Sequence, residues 1–397
     1  MGVLAYATSI FFQAMFSDLG WTRGDLALSI SIGAVLAAIL SPFVGSFVDR
    51  HGARWIMVIS AFATGVCLIL LGYVYELWQA FLIFSLLAVF RVGFISIPVM
   101  TMVSNWFSEK RGIAMGIMTA GQGLGGFVFS PLSIYLISSI GWRLAWGVIG
   151  LITWVIMIPS VLLVVKNNSE SKGLRADTKA PKGESITLTV KDNIGTPLKS
   201  DKGIFVTLLR MPTFWFVALF HFLYLFGHAS IFQQGFSLFI DKGIPAMTAG
   251  TMVGILGLFS LSGKVVLGYL SDRISLRYVM IAALVLAAIF ISPLLFTAST
   301  WGAWLFIILW GFWECGIIAL QPVLVATLFD KAIIGKMLGI FSIFSVFAQL
   351  IGPPFMGYVH DITGDYNLAL STFIICYVIS GLLIFLIRPT HTLLRPK

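Results

Sequence analysis

Three charged side chains, Arg91, Lys264 and Glu314, lie inside long apolar runs. A charge at the centre of a bilayer costs roughly 3 kcal/mol or more unless it meets a partner or a wet cavity. Such residues are candidates for holding a charged solute or a proton. Glu314 is the one acid well inside an apolar run, and Arg91 precedes it by 223 positions. The two are read as a functional set that interacts in at least one conformation or, alternatively, as a structural buried pair. Lys264 shares a helical stripe with Gly257, Ser260 and Gly268 at spacings of three or four, so its ammonium emerges from a small, polar face. That face suits a cavity that takes a carboxylate. The other reading is close packing, with the lysine stem reaching towards water near Asp272.

Further polar stripes repeat this spacing: Tyr6, Ser9 and Gln13; His221, Tyr224 and His228; Ser342, Ser345 and Gln349. Positions i, i+3 and i+7 share one helix face. Either histidine could carry a proton near neutral pH or serve as a hydrogen-bonded structural group. The candidate substrate contacts are therefore Lys264, Arg91, Glu314, Tyr6, Gln13, His221, Tyr224, His228 and Ser345. Glycines at 112, 116, 121, 125 and 126 lead to no Gly-Lys-Ser/Thr, so they read as helix-crossing positions and not as a phosphate loop. Cys67, Cys315 and Cys376 are too far apart in sequence for a metal-binding motif and read as packing residues. With no visible nucleotide site, zinc cluster or catalytic triad, neither a cofactor nor an enzymatic activity is expected.

The pattern Gly-x-x-x-Asp-Arg-x-x-x-Arg occurs twice, as GSFVDRHGAR at 45–54 and GYLSDRISLR at 268–277. Gly116 and Gly339 repeat the same offset of 223, which points to an internally duplicated bundle. Asp49, Arg50, Asp272 and Arg273 close apolar segments. A carboxylate there can cap a neighbouring helix and an arginine can bridge the halves, which makes these four gating candidates; the plainer reading is ordinary solvated turns.

These residues have to be positioned by membrane helices. With 59% hydrophobic and 10% charged residues over 397 positions, the chain carries more apolar surface than a soluble core can bury. Runs of about twenty residues match a hydrocarbon core of about 30 Å. They fall near 1–17, 26–48, 55–75, 78–102, 112–137, 142–165, 213–239, 247–270, 278–297, 302–327, 336–358 and 367–387. The fold expected is an all-α membrane protein of twelve transmembrane helices in two pseudo-symmetric six-helix bundles. The first bundle is expected at 1–165, a linker at 166–212, the second bundle at 213–390 and a tail at 391–397. Within the polar linker, ITLTV at 186–190 could form a short strand or turn and KGIFVTLLR an amphipathic surface helix. The first span is short, and the functional product is expected to begin upstream of Met1.

A net charge of +9 does not signal nucleic acid here, because the basic residues follow the loops. Of 25 Lys and Arg, only Arg23, Arg143 and Lys242 fall on the loops opposite the Asp-Arg turns, and Arg91 and Lys264 lie within spans. The remaining residues put both termini in the cytoplasm of a cell membrane, plasma or inner, by the positive-inside rule.

The Asp-Arg loops, with six plus six spans around a basic central loop, resemble the major facilitator superfamily over the whole chain. WFSEKRGIAMGIMTAGQGLGG at 106–126 resembles the fifth-helix signature of monocarboxylate transporters. DLGWTRGDLA at 18–27 is similar to the first outer loop of that family and of its bacterial oxalate/formate antiporter relatives. The resemblance implies alternating-access transport of a small organic anion, coupled to protons or to a counter-anion, in contact with membrane lipid and with no obligatory protein partner. It places Lys264 where the eighth helix usually carries a substrate-binding arginine. It also places Ser345 where oxalate relatives carry a second lysine, which favours a monocarboxylate over a dicarboxylate. Export of a drug-like or other organic solute, or a non-transporting sensor on the same fold, stand as alternatives.

Overall fold

The computed structural model describes residues 6–51, 53–91, 99, 111–165, 211–296, 299–329 and 334–387. The readings made for the first residues, the linker and the tail fall outside these. The described chain is helical: α1 Thr8–Leu19, α2 Arg23–His51, α3 Ala53–Leu71, α4 Leu77–Arg91, α5 Arg111–Val164, α6 Pro212–Asp241, α7 Ala246–Arg273, α8 Leu276–Ile291, α9 Pro293–Phe296, α10 Thr300–Leu328, α11 Ile334–Thr363 and α12 Asn367–Leu386. Nine stretches among the described residues are long and apolar enough to cross a membrane. One of them, Gly123–Leu163, is two spans, because helical geometry breaks at Gly141 (φ 77°, ψ 158°), a conformation open to glycine. With that division and the shorter α1 and α4, the chain has its twelve transmembrane helices in two groups of six.

The duplication is visible in the backbone. Shifting by 223 carries the first residues of α2 and α4 onto those of α7 and α10. The four positive-φ residues among those described pair off by the same shift, Gly20 with Gly243 and Gly141 with Gly364. Packing between the halves obeys it too: α2 lies on α11, and the first limb of α5 lies on α7.

Each half has its own apolar core. In the first, Phe11 stacks on Trp146 (centroids 3.8 Å apart) and Phe12 meets Phe84 edge-on. In the second, Phe220, Phe306 and Trp310 are sealed among α6, α7, α10 and α12. Side chains such as Phe43, Val155, Leu163 and Trp301 stand 70% or more exposed, as a lipid-facing surface requires.

The described contacts between halves gather towards one end. A Cβ on Gly357 would sit 2.7 Å from the Gly24 nitrogen, and one on Gly257 would sit 2.8 Å from the Gly123 oxygen. Small residues there let backbones touch. Towards the Asp-Arg end, a Cβ at Gly268 or Gly339 meets nothing within 4 Å among the described residues.

The closed end is held by charge. The Arg23 guanidinium, 9% exposed, pairs bidentately with Asp241, with Nη2 to Oδ1 at 2.7 Å, and donates to the Tyr366 hydroxyl. Asp361 accepts from the Arg23 and Gly24 backbone N–H groups at 3.4 and 3.1 Å, capping α2 from the opposite half. Tyr358 donates to Asp25 at 2.8 Å. This clasp was not anticipated. Of the expected gating residues, Asp272 and Arg273 are exposed, with Arg273 over the Tyr269 ring at 4.6 Å. Asp49 and Arg50 end α2, and their side chains lie outside what is described. In this conformation the described bridge between halves is therefore at the end opposite the Asp-Arg turns.

Removing the Arg23 side chain should forfeit charged hydrogen bonds worth about 1.5–3 kcal/mol each. Spin labels at Tyr73 and Leu368, exposed near this end on the two halves, should then show a longer distance becoming dominant in Arg23→Ala. An unchanged distance distribution would mean that the clasp does not hold the halves together. Gly257→Ala should cost about 1–3 kcal/mol through overpacking, seen as a lower melting temperature, whereas Gly268→Ala should leave it near wild type.

Candidate functional site

The halves enclose a cavity of about 400 Å³ lined by residues from both. From the first half come Tyr6, Thr8 and Ser9, then Ile30, Ser31 and Ala34 of α2, Arg91 of α4 and Gly123 of α5. From the second come His228, Ala229, Phe232 and Gln233 of α6, Gly257, Ser260, Leu261 and Lys264 of α7, Cys315 and Ile318 of α10, and Gln349 and Pro353 of α11. The lining carries two cations, Lys264 and Arg91, and no carboxylate among the described residues. A helix stripe explains the first cation: Gly257, Ser260 and Lys264 reach the same space because they lie one turn apart. Arg91 is the last described residue of α4. Ser345 on α11, where the resemblance to oxalate relatives leaves no lysine, does not line the cavity, and the second cation of the lining is Arg91 of α4.

Around these charges the walls offer donors and acceptors with two aromatic rings. Tyr6 and Phe232 meet edge-on with centroids 4.9 Å apart. Gln233 has a buried Oε1 with no hydrogen-bond partner, a spare acceptor beside the cavity. Ser31 donates to the Gln349 backbone oxygen at 2.9 Å, tying α2 to α11 across the lining.

Four of the nine expected contacts, Lys264, Arg91, Tyr6 and His228, line the cavity. The other five do not. Glu314 is fully buried one layer behind, where its carboxylate meets His228 Nδ1 at 2.9 Å and accepts from the Tyr377 hydroxyl at 3.1 Å. Its polar partner here is His228 on α6 and not Arg91, so the pairing read from equivalent positions is not made in this conformation. The offset of 223 equates backbone sites and leaves side-chain direction open. Tyr224 is sealed and donates to the Glu314 backbone oxygen at 2.9 Å. His221, 3% exposed, has its Nδ1 2.9 Å from the Val217 carbonyl and stacks on Phe341, the structural role. Ser345 donates to the Phe341 carbonyl on its own helix, and Gln13 is half-buried away from the lining.

Ser31, Gln233 and Tyr377 were not singled out from sequence. Adjacent Gln233 and Gln234 in an apolar run were a usable signal, since a buried amide demands partners. Tyr377 gave none, because tyrosine in a last span reads equally well as an interface residue. Cys315 is buried as expected but also borders the cavity, and it lies with His228 and Glu314 so that their ligand atoms fall within 4.8 Å of one another.

Comparison with known proteins agrees with this architecture. The family model described as Major Facilitator Superfamily matches residues 1–270 and again 237–397. Monocarboxylate transporter 12-B of Danio rerio is 24% identical over 393 residues, covering 94% of this chain and 80% of the relative. The MFS-type transporter hasB of Aspergillus fumigatus is 27% identical over 369 residues, covering 89% and 77%. A mutant of the nucleoside transporter NupG shares the fold with a TM-score of 0.71 at 14% identity, covering 97% of this chain and 94% of that one. Matched along its whole length, and built as two duplicated six-helix bundles around a central cavity, the chain belongs to the Major Facilitator Superfamily and is a multi-pass membrane transporter of small-molecule solutes resembling the monocarboxylate transporters.

Proposed function

We propose that this transporter carries a small organic anion, most directly a monocarboxylate, across the cell membrane by alternating access, with both termini in the cytoplasm and with coupling to a proton or a counter-anion. The observation that carries the reading is the charge of the cavity: two cations and no carboxylate in its described lining. An anion entering it replaces water with Lys264 and Arg91, and charge-assisted contacts of this type are short and roughly twice as strong as neutral ones. The ammonium provides a point charge, and the guanidinium a planar fork that can take both oxygens of a carboxylate. Tyr6 and Phe232 flank the rest of the solute. The clasp at Arg23 bridges the halves at one end, and no matching bridge stands at the opposite end among the described residues, an asymmetry that suits alternating access.

The aromatic pair Tyr6 and Phe232 also favours a second reading, a ring-bearing organic solute moved outwards. Reconstituted vesicles given a panel of short carboxylates, a neutral aromatic solute and a lipophilic cation, with and without a proton gradient, separate the two. Under the anion reading, Lys264→Ala and Arg91→Gln should each weaken half-saturation for the preferred carboxylate roughly ten- to a hundredfold. Lys264→Arg should keep part of the uptake. Uptake of the cation with no carboxylate moved, or unchanged carboxylate affinity in both variants at equal folded amounts, overturns it.

A further inference from the structure

We propose that His228 and Glu314 are the proton-binding site of this carrier, holding one proton between an imidazole at the cavity wall and a sealed carboxylate, and that this proton favours anion binding at Lys264. The inference rests on the anion reading above for its second half only.

Glu314 is 0% exposed, and its carboxylate meets His228 and accepts from the Tyr377 hydroxyl, with the Tyr224 hydroxyl and the Cys315 thiol beside it. No lysine or arginine among the described residues stands within ion-pair distance of it. A carboxylate in that position is stable with a proton on itself or on the imidazole beside it; stripped of both, it is an uncompensated buried charge, the costliest arrangement. His228 has the opposite access. Its side chain is 14% exposed and borders the cavity, so the proton has a route from water to Glu314 through the ring. Tyr224, Phe232 and Trp310 present nearly parallel rings to the imidazole at 5.9, 5.7 and 6.3 Å, and aromatic faces stabilise a cation. Imidazole also changes charge closer to neutrality than other side chains.

The titratable groups facing the couple come from five elements. They are Tyr224 on α6, Cys315 on α10, Tyr377 on α12, Lys264 on α7 and Tyr6 ahead of α1. Among them Lys264 is the only permanent cation, and it interacts electrostatically with Cys315, the neighbour of Glu314. Counting charge gives the coupling. With its proton the couple is neutral, and Lys264 is free to face a solute anion. Without it the couple carries one negative charge, which draws on Lys264 and repels an incoming anion. Protonation and anion binding therefore strengthen each other, and by linkage the effect is reciprocal. Cys315 brings a third ligand-type atom within 4.8 Å of those of His228 and Glu314, but Lys264 beside it opposes a dication, and the His228–Glu314 contact would have to open to admit one.

The proton site can be read without any solute. Infrared difference spectra of the purified protein in lipid, titrated from about pH 5 to about pH 8, should contain a carboxyl or imidazole signal that vanishes in both Glu314→Gln and His228→Gln. A signal retained unchanged in both variants overturns the assignment, whatever the outcome of the carboxylate panel. Zinc that copurifies stoichiometrically with wild type and is lost from Glu314→Gln also overturns it, by giving the cluster to a metal. With pyruvate as the probe in vesicles, wild-type half-saturation should weaken roughly tenfold as the pH rises over that range. In Glu314→Gln, with a neutral group in place of the acid, it should be flat. A parallel pH profile in that variant overturns the coupling.

Discussion

Hydrocarbon tolerates an ionised group only where that group is paired or wet, and the placement of the described membrane-embedded charges here follows from that. Lys264 and Arg91 are wet, because both border the central cavity. Glu314 is dry and is matched by an imidazole and a phenol hydroxyl. Arg23, nearly buried at the closed end, is matched by Asp241 and Tyr366. Take away the cavity and the two cations have no counterpart in the described structure; the cavity is thus the means by which the bundle accommodates them.

Duplication supplied the scaffold, and divergence within it supplied the chemistry. Asp18 and Asp241 are equivalent by the 223 shift, yet Asp18 bonds Trp142 and Arg143 inside its own half at 3.1 and 2.5 Å, whereas Asp241 reaches across to Arg23. Arg91 and Glu314 likewise occupy matching positions with opposite charge and opposite access to water. A symmetric backbone lets the two halves rock about a common centre, while the unequal side chains put the clasp at one end and the His228–Glu314 couple in one half only.

Close backbone contact sets how the halves can meet. The Gly123–Gly257 and Gly24–Gly357 approaches leave no room for side chains, so the interface there is shaped by main chain and stays narrow. Beyond it the wider residues Tyr6, Phe232 and Lys264 are left facing space, and that space is the cavity. Small residues thus position the large ones by bringing the helices together on one side of the site.

Much of this was legible without coordinates. Apolar run length, loop charge and the repeated Asp-Arg pattern were enough for twelve spans in two related halves, since span length is dictated by bilayer thickness and the repeat is a property of the string of residues itself. Helical periodicity also foretold that Gly257, Ser260 and Lys264 share a face. Which of several polar faces points inwards was another matter: Tyr6 and His228 reach the cavity, while His221 and Ser345, on stripes that looked the same, turn to their own helix backbones. The pairing of Glu314 with His228, the bond from Tyr377 and the clasp of Arg23 with Asp241 join residues 63 to 218 positions apart. Periodicity along one helix carries no information about the rotation and offset of its neighbours, so those contacts were decided only when the helices packed.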